Sequence, residues 1–554
     1  MNLSKTRYTR GIQCPKMLWM DAHMPEKFDD SVLNEAILES GDNVGDLAMG
    51  YFGPFVEVSF DPRDFEGMAR RTRALLADGA RVICEATFCH EGDVCMVDIL
   101  RVEPDGLHLV EVKSSTRVHD VYYHDMAFQY DLLRRCGYEV KSVSLMHIDN
   151  SYVFDGKLDL ARLFRVEDCT ERVVSLAANV RERAAYLKAV ASELLEPGSD
   201  QGAADVLDVA CPAGLLPLTC EDASCAAFSF GDERDAFAIG PHCKSPYPCG
   251  YRDWCWRSVV HPSVFDLGGF GLEKTFKLAR AGVVSFDDVV SSGLSLKSIP
   301  ARQVEAYRTG KRFIVDVASV RRFLQAFEIP LYFLDFETYQ PAVPTFVGAR
   351  PYQQIPMQYS LHIVRDKGAV VELGACPTDG SWEHREFLAE AGSDPRREVA
   401  EALVRDIPVD ACVVAYNMSF ECAVIKGLAD AFPDLSDHLL AVRDRFVDLI
   451  VPFRSGSCYA AAQNGSFSIK AVLPALFPDD PALDYRSLEG VCNGAQASAT
   501  FTELARMESE EARRARENLL RYCELDTLAM VRIWQWLEHA AASENGFEPE
   551  RSIE

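Results

Sequence analysis

Short apolar runs separated by turn residues dominate the early chain. Val82–Phe88, Val94–Val102 and Leu107–Val112 read as β-strands divided by Gly92-Asp93 and Asp105-Gly106, dipeptides suited to tight hairpins. A helix is expected over Asp120–Arg135 and a further strand over Val140–Met146. A polar helical stretch, Glu171–Leu195, then runs into a Pro197-Gly198-Ser199 break, and Cys211–Trp256 is rich in cysteine. Between Pro262 and Asp288 the pattern predicts two short helices around a Gly-rich turn. That turn could cradle a phosphate on its amides, helped by Lys274 and Lys277, or be a helical linker with capping glycines. Pro330 opens a second α/β pattern, from the strand Leu331–Glu337 to a last long helix over Glu508–Trp536. There is no internal repeat. The expectation is an α/β multidomain chain with domains at 1–260 and 329–554, joined by a small helical segment at 261–328.

Length and composition agree with this division. The chain has 554 residues, 48% hydrophobic and 25% charged, which allows sizeable cores and argues against wholesale disorder. The first twenty residues, MNLSKTRYTRGIQCPKMLWM, lack the unbroken apolar stretch of a secretory signal, and no run approaches the ~18 apolar residues of a membrane span. A cytoplasmic protein with no membrane partner is therefore expected. Eighteen cysteines are thinly spread over this length, so buried thiols or metal ligands are expected rather than a disulfide scaffold. Cys84, Cys89, Cys95, Cys136, Cys412 and Cys422 lie in apolar segments and read as core residues. The net charge of −27 argues against broad attraction to nucleic acid, although bound divalent ions would reverse the sign locally.

The strand around Val94–Leu100 carries Asp98, and the next ends Leu-Val-Glu111-Val-Lys113. Residues two apart on a strand share a face, so Glu111 and Lys113 point the same way, and pairing with the neighbouring strand brings in Asp98. Two carboxylates can hold Mg²⁺ or Mn²⁺, and a lysine can orient water or steady developing phosphorane charge. Gln129 lies on the helix that follows. This order resembles the PD-(D/E)xK nucleases of the RecB type over roughly the first 260 residues. The resemblance implies Asp98 and Glu111 as metal ligands, Lys113 as catalytic lysine and Gln129 as helper. It departs at two points. Leu133 stands where the family has a tyrosine four residues after the glutamine, and no histidine is evident near Gly41–Ala48; either Glu85, on the strand before Asp98, substitutes for it or the site uses fewer ligands.

Cys243, Cys249 and Cys255 are evenly spaced in CKSPYPCGYRDWCW, and Cys14 lies far upstream in GIQCPKMLW. Soft thiolates suit iron–sulfur clusters or zinc. One N-terminal and three later cysteines resemble the layout of RecB-like nucleases, including CRISPR-associated exonucleases, in which four cysteines hold a four-iron four-sulfur (4Fe–4S) cluster. Zinc, with His242, Cys220 or Cys225 as further ligands, is the alternative, because the spacing departs from the usual one.

LYFLDFET at Leu331–Thr338 places Asp335 and Glu337 on one face of an apolar strand. Asn417 and Glu421 follow the strand Val413–Tyr416 one helical turn apart, and Tyr522 and Asp526 share that spacing near the C-terminus. Four acids from three segments can bind two metal ions about 4 Å apart. The order resembles the DnaQ-like, RNase H-fold exonucleases of the DEDD type. That likeness implies metal ligands Asp335, Glu337, Glu421 and Asp526, with Tyr522 positioning water. Glu421 replaces the usual aspartate, and Asp448 is a reserve candidate. The whole chain resembles an uncharacterised bacterial family fusing two such nucleases, and SFSIKAVLPAL at Ser466–Leu476 strengthens the likeness without an assigned chemistry.

The expected function is metal-dependent hydrolysis of phosphodiester bonds in DNA at two active sites, in repair or in defence against mobile DNA. An RNA exonuclease is the alternative enzyme, and a nucleic-acid-binding scaffold with silent sites is the alternative class. No Gly-x4-Gly-Lys-Ser/Thr loop is present, so a separate helicase or a defence-system protein is the candidate partner for motor activity.

Overall fold

A computed structural model describes residues 2–32, 35–192, 239–366 and 382–543. The Pro197-Gly198-Ser199 break, Cys220 and Cys225 lie outside the described residues. The fold is mixed α/β and divides into two compact units. The first comprises Met1–Val259 with Pro341–Tyr352, and the second Val260–Gln340 with Gln353–Glu554. No described helix is long and apolar enough to cross a membrane.

The first unit is built on six strands, β1 (Val56–Glu57), β2 (Val82–His90), β3 (Asp93–Glu103), β4 (Gly106–Lys113), β5 (Val140–Ile148) and β6 (Phe164–Asp168), in sheet order β1-β2-β3-β4-β5-β6. The pairs β1·β2 and β4·β5 are parallel and the others antiparallel. One face packs Ile83, Leu100, Leu109 and Leu145 against a core that includes Tyr8, Met126, Phe128 and Leu187. The helices Lys5–Gln13, Asp120–Arg135 and Val180–Ser192 carry those four residues. The hairpin turn falls on Glu91-Gly92, with φ of 50° and 82°, one residue earlier than the expected Gly92-Asp93. Two positive φ values in a row fit a type I′ turn. Asp93 is instead a buried strand residue, accepting a hydrogen bond from Arg135 at 3.0 Å. The expected helix Glu171–Leu195 is two, Thr170–Ala177 and Val180–Ser192.

The second unit has a small two-stranded sheet, β7 (Phe313–Val315) with β13 (Cys458–Ala460), and a five-stranded one. The latter contains β8 (Leu331–Tyr339), β9 (Ile355–Val364), β10 (Trp382–Leu388), β11 (Cys412–Ala415) and β12 (Phe446–Asp448), ordered β10-β9-β8-β11-β12. Central β8 runs antiparallel to β9 and parallel to β11. Its odd-numbered residues Leu331 and Phe333 face a core shared with Met530, Trp534 and Leu537 of the helix Ser509–Ala542. Its even-numbered residues Tyr332, Leu334 and Phe336 face the helices Arg396–Asp406 and Ser419–Ala431. The long helix outruns its expected end at Trp536 because Leu537, Ala540 and Ala541 are also buried.

The expected Gly-rich turn between two helices takes another form. Gly268–Gly271 precedes the helix Leu272–Arg280, and the next helix is Phe286–Ser291. The Gly268 amide donates to Gln303 Oε1 at 2.7 Å, and Lys274 Nζ sits 3.8 Å from the centroid of the Phe270 ring. A Cβ at Gly268 would come within 2.1 Å of the Gly465 carbonyl oxygen, so close packing accounts for this glycine.

Candidate active sites and a cysteine-lined cavity

In the first unit a row of acids crosses the sheet. Cys84 pairs with Ile99, and Ile99 with Val110, so the next positions along are Glu85, Asp98 and Glu111. The β3·β4 ladder stops at that row, and Asp98 Oδ2 accepts the Val112 amide at 2.7 Å. Glu85 has a φ of 54°, a left-handed conformation that interrupts β2 at the same level. Lys113 Nζ lies 2.5 Å from Glu111 Oε1 and 3.2 Å from Asp125 Oδ2. Gln129 Nε2 donates to Glu111 at 2.7 Å and to Asp125 at 3.1 Å. The four sequence candidates Asp98, Glu111, Lys113 and Gln129 therefore form one connected group.

Lys5 and Asp125 were not singled out from the sequence, and both belong to this group. Lys5 opens the helix Lys5–Gln13, capped by Ser4, and its ammonium lies 2.9 Å from Asp98 and 3.1 Å from Glu111. It thus sits where a cation bridging those carboxylates would sit. Burial, and then repulsion from Glu111, raise the pKa of both Asp98 and Asp125. Glu85 is pushed up to about 7 by burial and by Asp98. Glu111 goes the other way: against the opposing effect of burial, Lys113 and Lys5 hold its carboxyl far below the usual range.

Cys14, Cys243, Cys249 and Cys255 line one cavity with Lys16, Met17 and His242. Hydrogen bonds explain how so distant a set meets. Gln13 Nε2 donates to the carbonyls of His242 and Tyr247, both at 2.8 Å, anchoring the end of the N-terminal helix to the later loop. Tyr251 donates to Asp21 at 2.8 Å, and the Asp29 amide to the Gly250 carbonyl at 2.9 Å. All four cysteines are free thiols. Burial, with neighbouring thiols contributing, pushes Cys249 up to about 12 and Cys255 to about 11. Four thiols lining one cavity are a donor set that fits a soft metal.

In the second unit Asp335 and Glu337 project from β8 toward the helix Ser509–Ala542, which presents Tyr522 and Asp526. Asp335, Glu337 and Asp526 each offer an oxygen within 4.8 Å of the others. Glu421 is 3% exposed, its Oε2 has no hydrogen-bond partner, and its charge is close enough to raise the pKa of Asp335. Burial is the main cause throughout. Glu337 is pushed up to about 8, with Asp526 adding repulsion, Glu421 to about 8, with Asp448 adding repulsion, and Asp526 to about 6. Like charges about 4 Å apart repel by about 4 kcal/mol at an effective dielectric near 20. Divalent cations would turn that repulsion into attraction, and the orphaned Glu421 oxygen is a free ligand atom, so these residues fit metal ions.

Two residues join this site unexpectedly. Tyr485 donates to Asp526 Oδ1 at 2.6 Å, and Lys470 donates to Tyr522 Oη at 3.1 Å and to the Cys492 carbonyl at 3.2 Å. Lys470 belongs to SFSIKAVLPAL, so the one motif without assigned chemistry delivers a cation beside the acids. Asn417 does not share a helix face with Glu421: at φ 71° it turns the chain before the helix Ser419–Ala431 begins. Asp448 accepts the Asn417 amide at 2.9 Å and the Ile450 amide at 3.2 Å, which makes it a turn residue beside Glu421.

A family model described as a domain of unknown function (DUF2779) matches residues 332–468. The matched stretch holds Asp335, Glu337 and Glu421 and ends before Lys470, Tyr522 and Asp526. No curated protein and no solved structure matches the chain.

Proposed function

We propose that the protein is a metal-dependent nuclease that hydrolyses phosphodiester bonds in DNA, with a RecB-like PD-(D/E)xK site in the first unit and a DnaQ-like, RNase H-fold site in the second. The observation that carries the reading is the buried convergence of Asp335, Glu337 and Asp526 within mutual ligand distance, with an unpartnered Glu421 oxygen nearby. Assembling such acids is costly without a cation, and a purely structural site would have no use for them.

Asp335, Glu337, Glu421 and Asp526 would hold Mg²⁺ or Mn²⁺, which supplies an acidified water and stabilises the leaving oxygen. Tyr522 stands on the same helix face as Asp526, where its hydroxyl can hold a water. Lys470, hydrogen-bonded to that hydroxyl, keeps it oriented and places positive charge where a phosphate would approach. In the first unit Asp98 and Glu111 would hold the ion. Lys113 and Gln129 fix the Glu111 carboxylate, and Lys113 remains available to phosphate oxygens. Lys5 must yield its place between the acids to that ion.

The cysteine cavity is proposed to hold a 4Fe–4S cluster with a structural role. The four thiols that line the cavity and the resemblance in cysteine layout support this reading, and zinc, with His242 beside the thiols, is the alternative.

The test is end-labelled single- and double-stranded DNA and RNA incubated with purified protein and Mn²⁺ or Mg²⁺. Cleavage of DNA that chelator abolishes is expected. Cleavage confined to RNA would establish the alternative substrate, and no metal-dependent cleavage of any polymer would leave a binding scaffold.

A further inference from the structure

The face of the five-stranded sheet that carries Asp335 also carries a second cluster of a different character. His362 on β9 lies directly across from His384 on β10, with ring centroids 4.5 Å apart and planes 30° from parallel. Glu524, on the helix Ser509–Ala542, faces them, its Oε1 3.8 Å from His384 Nδ1. One ligand atom from each of the three lies within 4.8 Å of the other two. None of the three belongs to the carboxylate site.

Hydroxyl groups hold the two rings from behind. Thr527 Oγ1 lies 3.1 Å from the Glu524 carbonyl, 2.8 Å from His362 Nδ1 and 2.7 Å from Ser360 Oγ, and Ser360 Oγ lies 2.9 Å from His384 Nε2. These contacts engage one nitrogen of each ring and leave His362 Nε2 and His384 Nδ1 as the nitrogens on the side away from the hydroxyls, which bind a metal when the rings carry their protons toward Thr527 and Ser360. A neutral imidazole whose far N–H is anchored by a hydrogen bond is the form in which histidine binds metals.

We propose that His362, His384 and Glu524 form a transition-metal site, for an ion of the zinc class, sharing no ligand with the Asp335–Glu337–Asp526 group. Two imidazoles and one carboxylate suit zinc or a neighbouring first-row ion and are poorly matched to Mg²⁺, which prefers oxygen. Three protein ligands leave a fourth position open, and Glu524 is exposed, so the ion has a path from solvent. Because the ligands come from two strands and the long helix, a bound ion would link the sheet to the helix that carries Tyr522 and Asp526.

The experiment is equilibrium dialysis of the full-length protein against Zn²⁺ with excess Mg²⁺ present, followed by metal analysis, and the visible spectrum of the Co²⁺-loaded protein. His384→Gln and Glu524→Gln should each hold one equivalent of Zn²⁺ fewer than the wild type and lose the corresponding Co²⁺ bands. Asp335→Asn should keep that equivalent, which separates this site from the nuclease reading. Ser360→Ala, which removes the anchor of His384 together with the Ser360–Thr527 hydrogen bond and touches none of the three ligands, should weaken the site about tenfold. Glu524 is solvent-facing, so its amide variant reports on binding even where His384→Gln disturbs folding. Equal zinc content and unchanged Co²⁺ spectra in the wild type and Glu524→Gln would overturn the proposal.

Discussion

Burial raises the pKa of Asp335, Glu337 and Asp526, and neighbouring acids add repulsion at Asp335 and Glu337, so in the metal-free protein the folded state retains protons that the unfolded chain releases. For a carboxyl whose folded pKa is raised, stability falls as pH rises above the unfolded value toward the folded one. Melting in chelator should therefore occur at a lower temperature at pH 8 than at pH 6, in the window set by Glu337 at about 8 and Asp526 at about 6. Asp335→Asn relieves the repulsion, and a gain of about 1 kcal/mol would raise Tm by about 2–4 °C at pH 8. The same variant should lose about a thousandfold of the second site's rate, equivalent to ~4 kcal/mol of transition-state stabilisation. A variant less stable than wild type in chelator at pH 8 would show that the acids are not in conflict. In the first unit, Lys5→Met should tighten Mn²⁺ binding at least several-fold, because Lys5 occupies the cation position between Asp98 and Glu111. Weaker Mn²⁺ binding on titration would instead make Lys5 a supporting residue. Glu111 with Lys113, and Asp335 with Glu337, were legible because strand periodicity puts residues two apart on one face. Lys5, Lys470 and Tyr485 were not, since each reaches its site from a separate element and no short spacing reports that, whereas Asp125 stands one helical turn before Gln129 and could have been read from that spacing.

At the scale of elements, the strands and the main helices could be read from apolar runs, while turns and caps slipped by a residue or two. The type I′ geometry at Glu91-Gly92 follows from burial of Asp93 against Arg135, a tertiary demand invisible in the dipeptide itself. The Gly268 segment misled for a similar reason, since a glycine needed for close approach to Gly465 looks the same as one needed to bind phosphate. The cysteine cavity rests on the junction between the helix Lys5–Gln13 and the loop around Cys243. Gln13 is buried and spends both amide hydrogens on that loop, so Gln13→Ala should strand two carbonyls and cost about 2 kcal/mol. With all four thiols intact, Gln13→Ala should still lower iron content and Tm together, whereas Cys249→Ser should abolish the brown colour of anaerobically purified protein. Iron content that is unaffected by Cys249→Ser would remove that cysteine from the ligand set, and stoichiometric zinc in colourless protein would replace the iron assignment.

At the scale of the molecule, each carboxylate site draws every residue from its own unit: Lys5, Asp98, Glu111, Lys113, Asp125 and Gln129 from the first, Asp335, Glu337, Glu421, Tyr522 and Asp526 from the second. Sequence patterning suggested domains at 1–260 and 329–554 with a helical segment at 261–328 between them, and it could not register that Pro341–Tyr352, lying between β8 and β9, would belong to the first unit. Ala342 is buried in that unit's core with Val82, Val110 and Met146, and Tyr352 donates to the Ser114 carbonyl. A fragment ending at Val259 would lack this segment, so the two activities are better separated by point substitution than by truncation. Asp98→Asn and Asp335→Asn change one oxygen each for a nearly isosteric amide and should leave both units folded. Sites without shared ligands should lose activity independently, so free-energy losses should add. Each single variant should retain one metal-dependent activity on the labelled substrates at near wild-type rate, and the double variant should retain neither. If Asp98→Asn slowed every reaction that Asp335→Asn slows, the two units would act on one substrate in sequence rather than separately. A fully active double variant would place the chemistry outside both groups of acids.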